Sequence, residues 1–93
     1  MSVSTWDVDV IVMPKTGVND PEGEAIRGGL KMLGYDSVAK VRAGRMIKLQ
    51  IAATSSEEAC AQASAMADKL LANPVIEVFE VEVVGLAKET AQR

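Results

Sequence analysis

Two groups of side chains in this chain have the types and spacing to do chemistry. Asn19, Asp20, Glu22 and Glu24 gather four oxygen-bearing side chains within six positions, enough oxygen to hold Mg²⁺ or Ca²⁺. The same spacing suits a helix N-terminus, where Asp20 caps an orphan N–H, Pro21 takes the first helical position and the acids favour the helix dipole. The second group is basic: Lys40, Arg42, Arg45 and Lys48, interrupted by Gly44. It reads as a solvated turn, with docking on an acidic partner surface or capture of an anionic ligand as the functional alternatives.

Beyond these groups the reactive inventory is thin. The sequence has no histidine and one cysteine, Cys60, so the commonest general base and any soft metal site are missing. Cys60 falls on the apolar stripe of a helical segment, the setting of an inert core thiol, since a reactive one needs an exposed, electropositive environment. Neither glycine-rich phosphate motif occurs; Gly23, Gly28 and Gly29 do not match the required spacings. No catalytic, cofactor-binding or metal-ligating residue is assigned.

The elements that position the two groups follow from periodicity. Trp6, Val8, Val10 and Val12 alternate with Asp7, Asp9, Ile11 and Met13, which predicts a half-buried strand. Gly17 supplies backbone freedom in the turn after it. Pro21 to about Leu33 carries Ala25, Ile26, Gly29, Leu30 and Leu33 on one helical stripe, with Gly34 as the stop. The adjacent Gly28 and Gly29 weaken that helix by about 1 kcal/mol each relative to alanine.

Val38 to Ala43 alternates weakly and Met46 to Ala52 alternates well. Ala43-Gly44-Arg45 between them predicts a tight hairpin, or a bulge in one bent strand. Ser55 and Glu58 form a capping box for a second helix that runs to Ala72, where Asn73-Pro74 stops it. Val75 to Val84 is the last strand, with Phe79, Val81 and Val83 inward.

The order β-α-β-β-α-β, with right-handed crossovers, predicts an α+β ferredoxin-like sandwich: a four-stranded antiparallel sheet with both helices on one face. Residues 1–85 are expected to form the single domain, with 86–93 a flexible C-terminal tail. The sheet's other face would carry Asp7, Asp9, Glu80 and Glu82 opposite Lys40, Arg42 and Lys48, an acid and base pattern that suits pairing with a two-fold related copy.

Composition narrows the function classes. Ninety-three residues supply material for one core, and so small a core favours association with copies or partners. A net charge of −3 and a pI near 4.9 argue against a nucleic-acid partner. No run approaches the roughly 20 apolar residues of a membrane span, and the first residues lack a basic region followed by an apolar stretch. A cytoplasmic location is expected.

Lys15-Thr16-Gly17-Val18-Asn19-Asp20-Pro21-Glu22-Gly23 with Leu33-Gly34-Tyr35, and later Lys69-Leu70-Leu71-Ala72-Asn73-Pro74-Val75-Ile76-Glu77, closely resembles the PurS family, the small subunit of phosphoribosylformylglycinamidine synthase. The resemblance runs from about Val8 to Val84. It departs from the commoner pattern at Thr16, where proline often follows the lysine, and at Glu22, where glutamine is frequent. It implies a non-catalytic but required subunit of a ligase that uses ATP and glutamine to convert formylglycinamide ribonucleotide to formylglycinamidine ribonucleotide in de novo purine biosynthesis.

In such a complex a glutaminase subunit releases ammonia and a large synthetase subunit uses ATP and Mg²⁺; the small subunit binds no cofactor itself and bridges the two as a homodimer or dimer of dimers. The expected partner interface is Lys15, Gly17, Val18, Asp20, Pro21, Gly23, Arg42, Gly44 and Arg45. The alternative is a small-molecule-sensing regulatory domain of the same topology.

Overall fold

A computed structural model describes residues 2–87. Strand β1 (Ser4–Pro14) leads to helix α1 (Pro21–Met32), strand β2 (Arg45–Ala53), helix α2 (Ser56–Met66) with a wider closing turn over Ala67–Leu71, and strand β3 (Glu77–Leu86). The sheet order is β2-β1-β3, antiparallel throughout, so the most apolar strand lies at the centre. Val8, Val10 and Val12 are fully buried there, while Asp7, Asp9 and Ile11 turn to the opposite face. Period-two alternation therefore sets the burial of β1 as expected, and Phe79, Val81 and Val83 do point inward from β3.

Helix α2 covers that inner face. Its buried positions are Ala59 and Ala63, continued by Ala67 in the closing turn and Ala72 just beyond. Side chains this small let the helix axis lie close over Val8, Val10, Val12, Ile51 and Ala53, which form one core cluster with them. Ser55 caps the helix, its Oγ accepting from the Glu58 N–H at 3.1 Å. The Glu58 carboxylate reaches back one residue further than a standard capping box, accepting from the N–H and hydroxyl of Thr54 at 2.6 and 2.7 Å. At the other end, the Ala72 N–H bonds the Ala67 carbonyl at 2.9 Å, closing a π-type turn before Asn73-Pro74.

The structure corrects the expected four-stranded sheet: three strands form among the described residues, and 38–43 pair with no strand. Ala43-Gly44-Arg45 is not a hairpin. The Ala43 N–H bonds Asp20, the Arg42 guanidinium bonds the Pro14 carbonyl, and Gly44 lies against Val12 and Met13. These contacts hold the chain alongside the end of β1 instead of turning it back, so the reading as a bend in one long extended path is the nearer one.

The second correction concerns α1. Its stripe does not cover the sheet, and the helix makes almost no contact with any other element. Ile26 is 42% and Leu33 74% exposed, and only Leu30 of the large stripe residues is partly covered. The helix begins where Asp20 ties it to Ala43, beyond the end of the sheet, so it projects with the extended 38–43 segment as an arm. It ends as expected at Gly34, which has φ +98°.

At the C-terminus β3 runs to Leu86, and the Ala87 N–H bonds the Thr5 carbonyl at 2.8 Å. The rest of the expected tail, 88–93, lies outside the described residues. No helix among the described residues is long and apolar enough to cross a membrane.

Candidate functional site

The expected interface residues come together at one end of the molecule, where β1 passes into α1. Lys15 to Val18 form a tight turn: the Val18 N–H bonds the Lys15 carbonyl at 3.1 Å, and Gly17 takes φ +87° at the third position. A side chain with a Cβ is strained in that conformation, which accounts for the glycine. The Lys15 N–H is itself held, donating to the Ile76 carbonyl at 2.8 Å.

Asp20 is the centre of the arrangement. Its Oδ1 accepts from the Gly23 N–H at 3.0 Å, the N-cap bond expected from sequence. Its Oδ2 accepts from the Ala43 N–H at 2.9 Å. These two bonds, the Gly23 one first, hold the Asp20 carboxyl below the usual carboxylate range, with smaller help from the charges of Arg42 and Lys40. Both oxygens accept from backbone donors, the capping role expected of Asp20 extended to a second segment. Among the described residues no three His, Cys, Asp or Glu side chains converge as a metal-holding group.

Gly23 and Gly44 are explained by close approach. A Cβ on Gly23 would overlap the Val41 carbonyl oxygen and the Asp20 carboxylate, and one on Gly44 would overlap Met13 Sδ and the Val12 carbonyl oxygen. Gly23 is buried beneath the site.

Arg45 fastens the site to the second motif segment. Its Nη1 donates to Glu77 Oε2 at 2.9 Å and its Nη2 to Glu77 Oε1 at 3.2 Å, with a further bond from Nη2 to the Leu71 carbonyl at 2.6 Å. Glu77 also accepts from the Asn73 N–H at 2.8 Å, and Asn73 Oδ1 accepts from the Val75 N–H. Arg45 first, then the Asn73 N–H, lower the Glu77 carboxyl; Glu77 in turn raises Arg45. Asn73, Ile76 and Glu77 thus belong to the site although sequence reasoning gave Asn73-Pro74 only the role of a helix stop. The signal available was the position of Glu77 at the end of the second resembled segment.

Two depressions flank Asp20. The larger, about 710 Å³, has Lys15, Val18, Asp20, Glu24, Lys40 and Arg42 in its lining. The smaller, about 240 Å³, brings Pro21, Gly44, Arg45 and Glu77 together. Lys40 and Glu24 are additions to the expected set. Three cations against two carboxylates, one of them already bonded, give the larger cleft a positive bias suited to an acidic surface.

On the outer sheet face the expected pairing of acid with base happens partly inside the protomer. Lys48 reaches Asp9 at 3.3 Å, and Gln50 donates to Asp7 at 3.0 Å. Glu80 and Glu82 stay exposed, beside exposed Val78 and Val84. Cys60 is half-buried on α2, away from both clefts.

The PurS family model, described as phosphoribosylformylglycinamidine (FGAM) synthase, matches residues 7–85. A phosphoribosylformylglycinamidine synthase subunit PurS from Archaeoglobus fulgidus is 44% identical over 73 residues, covering 78% of this chain and 91% of the relative. The crystal structure of Methanocaldococcus jannaschii PurS, one of the subunits of formylglycinamide ribonucleotide amidotransferase, superposes with TM-score 0.78 at 35% identity, covering 88% of this chain and 99% of that one. A chain in the structure of PurLQS from Thermotoga maritima gives TM-score 0.78 at 31% identity, covering 90% of this chain and 100% of that one.

Proposed function

This chain belongs to the PurS family of phosphoribosylformylglycinamidine synthase, and on that premise we propose that it is the adaptor of a cytoplasmic, multi-subunit synthase of purine biosynthesis. The synthase converts formylglycinamide ribonucleotide to formylglycinamidine ribonucleotide with ATP and glutamine. This chain carries no step of the reaction. It bridges a glutaminase subunit and a large synthetase subunit, and ATP and Mg²⁺ are used through the latter.

The physical need for such a part is enclosure. Ammonia free in neutral water is mostly protonated and no longer nucleophilic, so it must pass between the two active sites without meeting bulk solvent. A part that fixes the relative position of two active sites serves that need without reactive groups of its own.

The observation that carries the proposal is the convergence of both motif segments on one rigid end. Asp20 joins the first segment to Ala43, the Lys15 N–H joins it to Ile76, and Arg45 joins the same end to Glu77. Residues spaced across the sequence are spent on holding one surface in shape, with Lys15, Lys40 and Arg42 left around its larger cleft. That is how a docking surface is built. A small-molecule-sensing domain of the same topology is not favoured, because the similarity to synthase subunits extends over residues 7–85.

The same reading includes self-association as a homodimer, alone or paired into a dimer of dimers. Its support is the exposed apolar stripe of α1 together with Met46, Val78 and Val84 on the outer sheet face. Sedimentation of the chain alone and with the two large partners tests both parts. The reading expects a dimer alone and a three-component complex with glutamine, ATP and Mg²⁺ present; a synthetase and glutaminase that associate equally well without the chain contradict it.

A further inference from the structure

Strand β3 is 10 residues long, and its outer edge is unpaired among the described residues. Which backbone groups face that edge follows from the bonds to β1. The Lys15 N–H donates to the Ile76 carbonyl, and bonded pairs alternate along an antiparallel ladder, so Val78, Glu80 and Glu82 bond to Met13, Ile11 and Asp9. The N–H and C=O groups of Phe79, Val81 and Val83 then point away from the sheet. Past them, the register shift at Asp7 and Val8 interrupts the regular ladder.

An edge of this length is usually blunted by lysine or proline, and residues 77–84 hold neither. They carry a two-sided pattern instead. On the outer face Glu80 and Glu82 are exposed between Val78 and Val84, while on the inner face Phe79, Val81 and Val83 are only partly buried. At the start of the strand, Ala72, Pro74, Val78 and Phe79 line a depression of about 300 Å³ bordered by Asp68 and Glu77.

We propose that the β3 edge receives an extended segment of a partner subunit as an added strand, one whose side chains alternate basic and apolar. Phe79, Val81 and Val83 supply the main-chain bonds. Basic side chains of the segment lie beside Glu80 and Glu82, and apolar ones extend the inner face, one of them entering the depression beside Phe79. A second copy of β3 does not fit the edge. Pairing about a two-fold axis near the middle of the strand sets Glu80 and Glu82 against the same two residues of the copy, and like charges directly opposite are destabilising. Charge therefore selects a foreign, basic strand. The inference rests on the adaptor reading and adds to it the chemistry of one attachment.

Amide hydrogen exchange, resolved to single residues in the full-length chain alone and in its complex with the two large subunits, tests it. In the chain alone Val78, Glu80 and Glu82 should exchange slowly and Phe79, Val81 and Val83 quickly; in the complex the latter three should slow by about tenfold or more. Glu80→Lys combined with Glu82→Lys, both on the exposed face, should weaken assembly by roughly tenfold. A complex that forms while Phe79, Val81 and Val83 exchange as in the free chain overturns the edge proposal and leaves the adaptor reading standing. Slow exchange of all six amides in the chain alone gives the edge to a second copy and overturns it too. Full-strength assembly by the charge-reversed variant overturns the choice of a basic segment, and failure of the unaltered chain to join the large subunits overturns both readings.

Discussion

Asp20 accepts the backbone N–H of Ala43, 23 positions away, at 2.9 Å. One carboxylate thereby caps α1 through Gly23 and fixes the end of the extended segment that precedes β2. Asp20→Asn keeps an oxygen for the Gly23 N–H but offers no second acceptor to Ala43, and Asp20→Ala keeps neither bond. Thermal unfolding should rank wild type above Asp20→Asn and Asp20→Ala lowest. Equal midpoints for the two variants would show that the Ala43 bond contributes nothing.

Acid stability follows from the same carboxyl and two others. Asp20 is lowered from an ordinary 3.8, and Glu58 and Glu77 from 4.5, each chiefly by hydrogen bonds made only in the folded chain. Groups lowered on folding stabilise the protein fully above their unfolded values and lose that contribution as pH falls through the folded ones. The unfolding midpoint should therefore be flat just above about pH 5 and fall steeply below about pH 4. In Asp20→Ala with Glu77→Gln the fall should be shallower, as measured by denaturant titration at a series of pH values.

The two ion pairs of the sheet should not count alike. Arg45 and Glu77 meet through two hydrogen bonds, with a third from Arg45 to Leu71, whereas Lys48 meets Asp9 through a single 3.3 Å contact from a lysine side chain that is 75% exposed. Lysine cannot reproduce the planar fork, so Arg45→Lys should lower the unfolding midpoint by several degrees. Lys48→Gln should leave it nearly unchanged, because an exposed pair contributes little.

Close approach at Gly23 and Gly44 leads to a prediction of opposite character. A methyl group at either position meets backbone oxygen, which has little room to yield. Gly44→Ala and Gly23→Ala should each cost about 1–3 kcal/mol, the range for forcing volume into a packed site. Denaturant unfolding with an unchanged m-value would check it.

The larger cleft should be sensitive to charge without being sensitive in stability. Lys15→Glu and Lys40→Glu replace cations in its lining, and each should weaken assembly with the large subunits by on the order of 1 kcal/mol, roughly fivefold. The loss should be greatest at low salt, because it acts through association. Unfolding of the isolated chain should be unaltered by either.

How far the fold was legible depends on whether the deciding contact was local. The alternation around Val8, Val10 and Val12, the Asp20-Pro21 start and Gly34 end of α1, and the Ser55 cap of α2 are settled within a few residues, and all are found as expected. The turn at Ala43-Gly44-Arg45 was not legible, since glycine between two apolar runs serves a hairpin and a bend equally; Asp20 and Met13 decide it from far along the chain. The stripe of α1 was legible as an apolar surface, and periodicity does not say whether it lies on its own sheet; here it does not. At the site, Lys15, Asp20 and Arg42 could be named from sequence, whereas Glu77 and Ile76 join them through contacts across the end of the sheet.

The most direct test of the adaptor account compares two nitrogen sources in the reconstituted synthase. Rates of formylglycinamidine ribonucleotide formation are measured with and without this chain, first from glutamine and then from a high concentration of ammonium salt, with ATP and Mg²⁺ in both. The account predicts that omission abolishes most of the glutamine-driven rate and leaves the ammonium-driven rate largely intact, because the synthetase chemistry is complete without the adaptor. An equally fast glutamine-driven reaction without the chain would contradict it.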